Sequence, residues 1–101
     1  MTKQAPAFFV FDTKITDMDA LTPYLENVEA TFKAFDGELI VQGGELEVFE
    51  GTPPQGIVVI LKFADMATAK AWYASDAYQA IVHHRHAGSR ANGWLVEGLG
   101  L

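Results

Sequence analysis

The sequence predicts an α+β protein in which two helices cover one face of an antiparallel sheet. Segments rich in β-branched and aromatic residues alternate with segments whose apolar residues recur at helical spacing, and turn residues separate them. Their order is β-α-β-β-α-β, which is the split β-α-β, or ferredoxin-like, arrangement. A chain of 101 residues has the usual size of one domain, so we expect residues 1–101 to fold as a single unit.

The first strand and the first helix are predicted from residue type and spacing. Ala7–Ile15 is β-branched and aromatic, which favours a strand. Thr16 begins TDMD, a Ser/Thr-x-x-acid signature that predicts a helix start. Apolar residues then recur at helical spacing, namely Leu21, Leu25, Val28, Phe32 and Phe35. We expect the pair Asp36-Gly37 to end this helix, with Gly37 in the left-handed conformation.

The pair Gly43-Gly44 in ELIVQGGELEVFEG allows two interpretations. It is either a two-residue hairpin turn or a bulge that bends one long strand. We favour the bent strand, because EGTPPQG just downstream is the stronger turn signal. Ile57–Phe63 is then the return strand.

The second half of the chain completes the pattern with a helix, a shorter helical segment and a strand. Asp65 is expected to cap the second helix, whose apolar positions are Met66, Ala69, Trp72 and Tyr73. Ser75 can restart a further short helical segment, which carries Tyr78, Ile81, Val82 and Arg85 along one side. The segment GWLVEG is the last strand.

Both faces of the predicted central strands are apolar. The first strand directs Ala7, Phe9 and Phe11 to one face and Phe8 and Val10 to the other. The return strand has the same two-sided pattern. Since the helices suffice for one face, the other would be an exposed apolar patch on a monomer. We therefore predict a homodimer in which two sheets pack face to face.

Charge and composition exclude several classes of protein. The formal net charge of −6 repels polyanions, and no cluster of Lys or Arg offsets it, so we expect no nucleic-acid binding. The chain has no cysteine, and hence no thiolate nucleophile. No apolar run approaches the roughly 18–20 residues that a membrane span needs, and MTKQAPAFFVF lacks the features of a secretory signal. We expect a soluble cytoplasmic protein with no membrane partner.

Several segments resemble the family called domain of unknown function 1330. They are FDGELIVQGGELEVFEG, VVILKF and WYASDAYQ, in the family's order, followed by Arg85. The resemblance spans nearly the whole chain and implies a dimeric α/β barrel with ferredoxin-like protomers. It implies less about activity, because the family is uncharacterised. Related dimeric α/β barrels include cofactor-free oxygenases, muconolactone-type isomerases and haem-degrading enzymes, and a shared fold does not transfer chemistry.

The sequence departs from the pattern of this family at three positions. Glu38 and Gln42 stand where the family commonly has arginine, and Asp76 stands where proline is usual. The missing arginines argue against an anion-binding role for that strand. The positions that match are Trp72, Ser75, Tyr78, Arg85 and the pair Glu50-Gly51.

The three histidines, His83, His84 and His86, do not form a convincing metal motif. On a helix His83 and His86 are neighbours, but the adjacent His83 and His84 point in different directions. A catalytic zinc site needs about three protein ligands, and no carboxylate lies at ligand spacing. We predict no metal and, since G-x-G-x-x-G and P-loop motifs are absent, no nucleotide cofactor. A polar helix end explains these histidines better.

The candidate site residues are Arg85, Tyr24 and Tyr78. Arg85 follows Tyr78 by seven residues, so both lie on one side of the segment if it stays helical. The guanidinium can bind a carboxylate or an enolate through its fork of donors, and the alternative is a surface salt bridge. Tyr24 is expected in the core or in the wall of a cleft between helices and sheet. Trp72 and Tyr73 fit packing better than ligand contact.

Three classes of function remain open on the sequence. The first is a small-molecule enzyme without an organic cofactor, isomerase-like or monooxygenase-like, that acts on a small organic acid or phenol. The second is a non-catalytic module that binds a small apolar acid. The third is a structural dimer whose apolar interior holds no ligand.

Overall fold

The chain folds into four strands and four helical segments in the predicted order. The computed structural model describes residues 5–100. The elements are β1 (Ala7–Ile15), α1 (Met18–Lys33), β2 (Glu38–Gln42), β3 (Ile57–Phe63), α2 (Met66–Ala74), α3 (Asp76–Gln79), α4 (Val82–Gly88) and β4 (Ser89–Glu97). The strands form one antiparallel sheet in the order β2-β3-β1-β4, which confirms the α+β, ferredoxin-like prediction. None of the described helices is both long and apolar enough to cross a membrane.

The N-cap of α1 and the left-handed residue that follows the helix each lie one residue from the predicted position. Its N-cap is Asp17 and not Thr16, because the Asp17 carboxylate accepts a hydrogen bond from the Ala20 N–H at 3.2 Å. A carboxylate here also meets the positive end of the helix dipole. After the helix, the left-handed residue is Asp36, with a φ of 56°, and not Gly37. Aspartate is among the few residues other than glycine that adopt this conformation readily.

Strand β2 ends just before Gly43-Gly44, so both interpretations of that pair are wrong for the described chain. The two glycines have φ values of 70° and 83°, and the register shift of the strand lies upstream, between Leu39 and Val41. The connection to β3 runs over residues 43–56, which is far longer than a hairpin turn. We call residues 44–56 the arm. It leaves the sheet because the two successive positive φ values of Gly43 and Gly44 redirect the backbone. On the arm, 89% of the Phe49 side chain is exposed.

The helical segments after β3 follow the predicted capping residues. The Asp65 side chain accepts from the Thr68 N–H at 2.7 Å and caps α2. The Ser75 hydroxyl accepts from the Tyr78 N–H at 3.2 Å and caps α3, so the helix restarts there as expected. Strand β4 begins at Ser89, before the predicted GWLVEG, because it pairs with β1 along its whole length.

The core lies between the helices and the sheet and is centred on Trp72. Trp72, Tyr78 and Phe63 are the largest side chains without appreciable exposed surface. The Trp72 ring centroid lies 5.3 Å from those of Phe9 and Phe63 and 4.2 Å from that of Tyr78. The Trp72 Nε1–H donates to the Thr31 hydroxyl at 3.1 Å. The expectation that Trp72 is a packing residue is confirmed.

The sheet face opposite the helices is apolar, and no described helix covers it. Val10 pairs with Ile60 on one side and with Trp94 on the other, so these side chains share a face. Trp94 is 54% exposed. The predicted two-sided apolar pattern is thus present. We call this surface the open sheet face, and its apolar members are Phe8, Val10, Val58, Ile60, Trp94 and Val96.

The buried hydrogen bond between helix α1 and Trp72 can be tested by replacing Thr31 with valine. The substitution keeps the shape but leaves the indole N–H without its acceptor. We expect Thr31→Val to lower the free energy of unfolding by about 1–3 kcal/mol, measured by urea titration with tryptophan fluorescence. The control is Thr22→Val, since the Thr22 hydroxyl bonds the Met18 carbonyl at an exposed position. Equal losses in both variants would show that this bond contributes nothing specific.

Candidate functional site

A cleft lies on the helix side of the sheet, where strand β4 carries small side chains. Ser89, Ala91 and Gly93 alternate along β4, so they point to the same face, and all three line the cleft. Its volume is about 580 Å³, and pockets for small molecules have roughly 300–1,000 Å³. Larger residues at these positions would fill the space. The cleft, which we call the β4 cleft, therefore follows from the S-x-A-x-G alternation within SRANG.

The wall of the β4 cleft formed by β1 and α2 is a ladder of stacked aromatic rings. Tyr73 stacks on Phe9 with centroids 5.7 Å apart, and Phe9 stacks on Phe11 at 5.6 Å. The guanidinium of Arg85 continues the ladder, with its Cζ 5.2 Å from the Phe11 centroid. A Cβ on Gly93 would lie 2.9 Å from the Phe11 ring, so glycine lets this ring lie against β4. The ladder offers a flat apolar surface that ends in a cation.

Three nitrogen-bearing side chains stand around the same cleft. Arg85 and His86 come from α4 and Lys70 from α2. The Arg85 NH2 nitrogen lies 3.5 Å from the His86 Nε2. The side chain of Lys70 is exposed and lines the cleft. In a chain of net charge −6, this is a local concentration of positive charge.

A second and smaller cavity, which we call the α1 cleft, lies between helix α1 and the sheet. It has a volume of about 100 Å³ and a largely apolar lining that includes Leu21, Leu25 and Val28. Tyr24 lines it, as the sequence predicts for a cleft wall. Arg85 lines both cavities and therefore stands at their junction.

The hydroxyls of Tyr24 and Tyr78 form a hydrogen-bonded pair 3.0 Å apart, in which either oxygen can donate. Burial raises the pKa of the Tyr24 hydroxyl well above its ordinary value of 10.0, and the neighbouring Tyr78 raises it further. Burial also raises the pKa of Tyr78. The nearby charge of Arg85 lowers the pKa of both hydroxyls without cancelling the effect of burial. Both tyrosines therefore keep their protons at neutral pH, and one hydroxyl donates to the other.

Arg85 has no carboxylate partner within residues 5–100, where the one ion pair joins Lys33 and Glu29 on the exposed side of α1. Its Nε is buried and has no hydrogen-bond partner among the described residues. A buried charged donor without an acceptor is costly. The alternative expectation of a surface salt bridge is therefore not met, and the guanidinium keeps donors available for a ligand.

The structure brings the three sequence-predicted site residues together but gives them different access. Arg85 reaches both cavities, Tyr24 reaches the α1 cleft, and Tyr78 has no exposed surface and lines neither. The expectation that Arg85 and Tyr78 share one helix is wrong, because α3 ends at Gln79 and α4 begins at Val82. The two are instead close in space across the break.

Sequence reasoning missed three lining residues of the β4 cleft, namely Lys70, Tyr73 and His86. Two signals could have found them. Lys70 and Tyr73 stand three residues apart, which places them on one face of a helix. The alternating small residues of SRANG indicate a gap on the helix side of the last strand.

The histidines separate into a surface pair and a cleft residue. The rings of His83 and His84 lie 3.9 Å apart, whereas His86 lines the β4 cleft. Across residues 5–100, no group of three potential metal-ligating side chains comes together. The absence of a metal stays a prediction.

Nearly the whole chain matches a known family. A family model described as domain of unknown function (DUF1330) matches residues 6–99. The chain belongs to this family. A comparison with curated proteins finds no match.

Solved structures of two other proteins have the same fold. A protein of unknown function from Rhodopseudomonas palustris has a TM-score of 0.75 at 16% identity, covering 94% of this chain and 83% of that one. Its methylated form has a TM-score of 0.73 at 14% identity, covering 96% and 83%. SnoaB, a cofactor-independent oxygenase from Streptomyces nogalater, has a TM-score of 0.56 at 14% identity, covering 94% and 92%. These likenesses establish the shared fold.

The raised pKa values of the tyrosine pair predict a loss of stability at alkaline pH. Above pH 10.0 the unfolded chain releases protons that folded Tyr24 and Tyr78 retain, so rising pH favours unfolding. We expect the melting temperature to fall between about pH 9 and about pH 11 more steeply in the wild type than in Tyr24→Phe. Tyr73→Phe, outside the hydrogen-bonded pair, is the control and should keep the wild-type slope. A Tyr24→Phe slope equal to the wild-type slope would show that this hydroxyl titrates freely.

Proposed function

We propose that this protein binds a small organic acid with a flat apolar body in the β4 cleft and acts on it without a cofactor. The observation that carries the proposal is Arg85, a half-buried cation at the junction of two cavities. It has no carboxylate partner among residues 5–100, and its Nε is buried without a hydrogen-bond partner there. The carboxylate or enolate oxygen of the ligand would accept from the guanidinium. Its body would lie against the rings of Phe9, Phe11 and Tyr73.

The electrostatics of the chain favour one anion at this place and no large polyanion. The net charge of −6 repels anions at long range, so only a local cation can hold one. A guanidinium binds a carboxylate with two parallel hydrogen bonds, which fixes the orientation of the ligand as well as its position. Because the lining of the β4 cleft is otherwise mostly apolar, an aromatic or enolisable acid fits it better than a sugar or a phosphate ester.

The tyrosine pair would stabilise negative charge that develops on the ligand. Tyr24 lines the α1 cleft beside Arg85. Its hydroxyl can donate a hydrogen bond to a ligand oxygen at the junction of the two cavities. Tyr78 has no exposed surface, so it would act through Tyr24 and Arg85 as a positioning residue. Neutral donors held in place are the groups that stabilise an oxyanion without reorganisation.

The reaction class that this arrangement supports is proton transfer next to a carbonyl or carboxylate group. Arg85 and Tyr24 would stabilise an enolate, which is the intermediate of isomerisation. An enolate or phenolate can also react with O2, and SnoaB, which shares the fold, is a cofactor-independent oxygenase. Oxygenation is therefore the second candidate, and oxygen uptake during turnover separates the two. If the protein binds such an acid but does not convert it, the protein is a non-catalytic binding module.

We also propose that the protein works as a homodimer through the open sheet face. The support is the apolar surface on the side away from the helices, with Trp94 and Val96 54% and 53% exposed. The arm adds exposed Leu46, Val48 and Phe49 to the same protomer. A soluble protein seldom leaves apolar surface of this extent uncovered, and a second copy would cover it.

The proposed role of Arg85 predicts a selective loss of binding. After a thermal-shift screen against small carboxylates and phenols, the affinity of a hit is measured by calorimetry. We expect Arg85→Ala to weaken it about 10- to 100-fold, the effect of losing a charged hydrogen-bond donor. Arg85→Lys should restore it only in part, because the forked geometry is lost. The control is Arg90→Ala, since Arg90 is exposed and does not line the cleft.

Two results would contradict this site. The first is an Arg85→Ala variant that binds the hit as the wild type does. The second is a screen without any hit, which would favour the structural dimer instead.

The dimer proposal predicts the mass of the protein in solution. Light scattering at micromolar concentration should give twice the 11.0 kDa of one chain. Val10→Asp should produce monomers or abolish folding, because it places an unpaired charge in the interface. Ala71→Asp, on the exposed side of α2, is the control and should remain dimeric. A wild-type mass of one chain would overturn the proposal.

A further inference from the structure

The enolate chemistry proposed above requires a base beside the ligand, and the inference made here rests on that proposed function. Four titratable side chains line the β4 cleft, namely Lys70, Tyr73, Arg85 and His86. Lysine and arginine side chains are cations at neutral pH, and a tyrosine hydroxyl holds its proton. Histidine is the residue type among the four that accepts a proton near neutral pH. No Asp or Glu of the described chain lines this cleft.

The geometry at Arg85 orients the imidazole of His86. The Arg85 NH2 nitrogen and the His86 Nε2 are 3.5 Å apart. A guanidinium only donates hydrogen bonds, so the Nε2 that faces it presents a lone pair. In the tautomer with its proton on Nδ1, the ring can accept a hydrogen bond from the guanidinium at Nε2. An acid bound to Arg85 would accept from these donors, and the Nε2 of His86 would then lie beside the ligand.

We propose that His86 is the general base of this site. Its Nε2 removes a proton from the carbon next to the carbonyl group of an acid whose carboxylate is bound at Arg85. The C–H bond breaks, its electron pair moves onto the carbonyl oxygen to form an enolate, and the proton rests on Nε2. Return of the proton to carbon gives back the acid or an isomer, so the step needs no oxidant or reductant.

The other two histidines on α4 cannot take this role from their positions. His83 and His84 contact each other with their rings tilted by 40°, and neither lines the β4 cleft. The charged and titratable groups that face His86 across the cleft are Arg85 from its own helix and Lys70 and Tyr73 from α2. Two of the three are cations, so the ligand is the one anion in the surroundings. Because Arg85 and His86 are neighbours, the proposed step requires an acid whose carboxylate and carbonyl groups are adjacent. A 2-oxo acid with an aromatic body is such a ligand.

The test follows the exchange of a carbon-bound proton, which no merely structural histidine affects. Phenylpyruvate is incubated with the intact protein in D2O, and loss of its CH2 signal is followed by proton NMR. Wild-type protein should accelerate the exchange saturably, and acidification should slow it, because an imidazolium cannot accept a proton. His86→Gln should lower the saturated exchange rate by about 100-fold or more. The affinity for phenylpyruvate, measured by calorimetry, should change by less than about 2-fold, because Arg85 still binds the carboxylate.

The control is His84→Gln, which removes an imidazole from the same helix outside the cleft and should exchange at the wild-type rate. His86→Asn serves as a second variant with the same expectation as His86→Gln. An unchanged rate in both His86 variants would overturn the base assignment. Binding of phenylpyruvate by the wild type without exchange would overturn it as well, and would leave the ligand site intact. Failure of phenylpyruvate to bind would instead contradict the proposed function on which the inference rests.

Discussion

Helix α4 meets helix α1 at Gly88, and the rest of the candidate site depends on this contact. The Gly88 carbonyl accepts hydrogen bonds from the N–H groups of Thr16 and Asp17 at 2.9 and 3.1 Å. A Cβ at Gly88 would lie 2.6 Å from the backbone nitrogen of Leu21, so a larger residue would push the helices apart. Arg85 lies about one helical turn before this contact, and Tyr24 about one turn after Leu21. A short backbone contact therefore sets the junction between the two cavities.

The cleft beside this junction exists because the two paired strands differ in side-chain size. Phe11 on β1 pairs with Gly93 on β4, and the small residues Ala91 and Ser89 continue along the same side of β4. The helix layer cannot close the gap, because Trp72 anchors α2 over β1 and β3 through its contacts with Phe9 and Phe63. The large side chains of β1 thus help to form the packed aromatic core, and the small side chains of the adjacent β4 leave the cleft open.

The sequence was sufficient for the fold because its signals are local. The spacing along α1, the caps Asp65 and Ser75 and the two-sided strands each need only a few neighbouring residues, and the structure confirms them. The candidate site needed contacts that no local pattern contains. Tyr24 and Tyr78 bond across 54 positions, which only the docking of α3 against α1 determines. The side chains missed in the β4 cleft belong to α2 and α4, and only the docking of these two helices beside β4 brings them together.

The interpretation of Gly43-Gly44 failed for a related reason. Both alternatives assumed that ELEVFEG pairs within its own chain, whereas β3 takes its partner from Glu38–Gln42 and the arm stays outside the sheet. Alternation of apolar and polar residues in an extended segment indicates that it pairs with another strand. It does not indicate whether that strand belongs to the same chain or to a second copy.

The charge distribution explains why so few residues can support chemistry in this cleft. The chain carries 13 acidic and 7 basic residues, and Lys33 on α1 has a carboxylate partner in Glu29. Arg85 does not, because the groups within its reach are the neutral Tyr24–Tyr78 pair, the Phe11 ring and His86. A carboxylate in place of either tyrosine would neutralise the guanidinium and leave no attraction for an acid. The raised pKa values of the tyrosines therefore keep the positive charge of Arg85 available to the ligand, and the Nε2 of His86 lies 3.5 Å from the guanidinium.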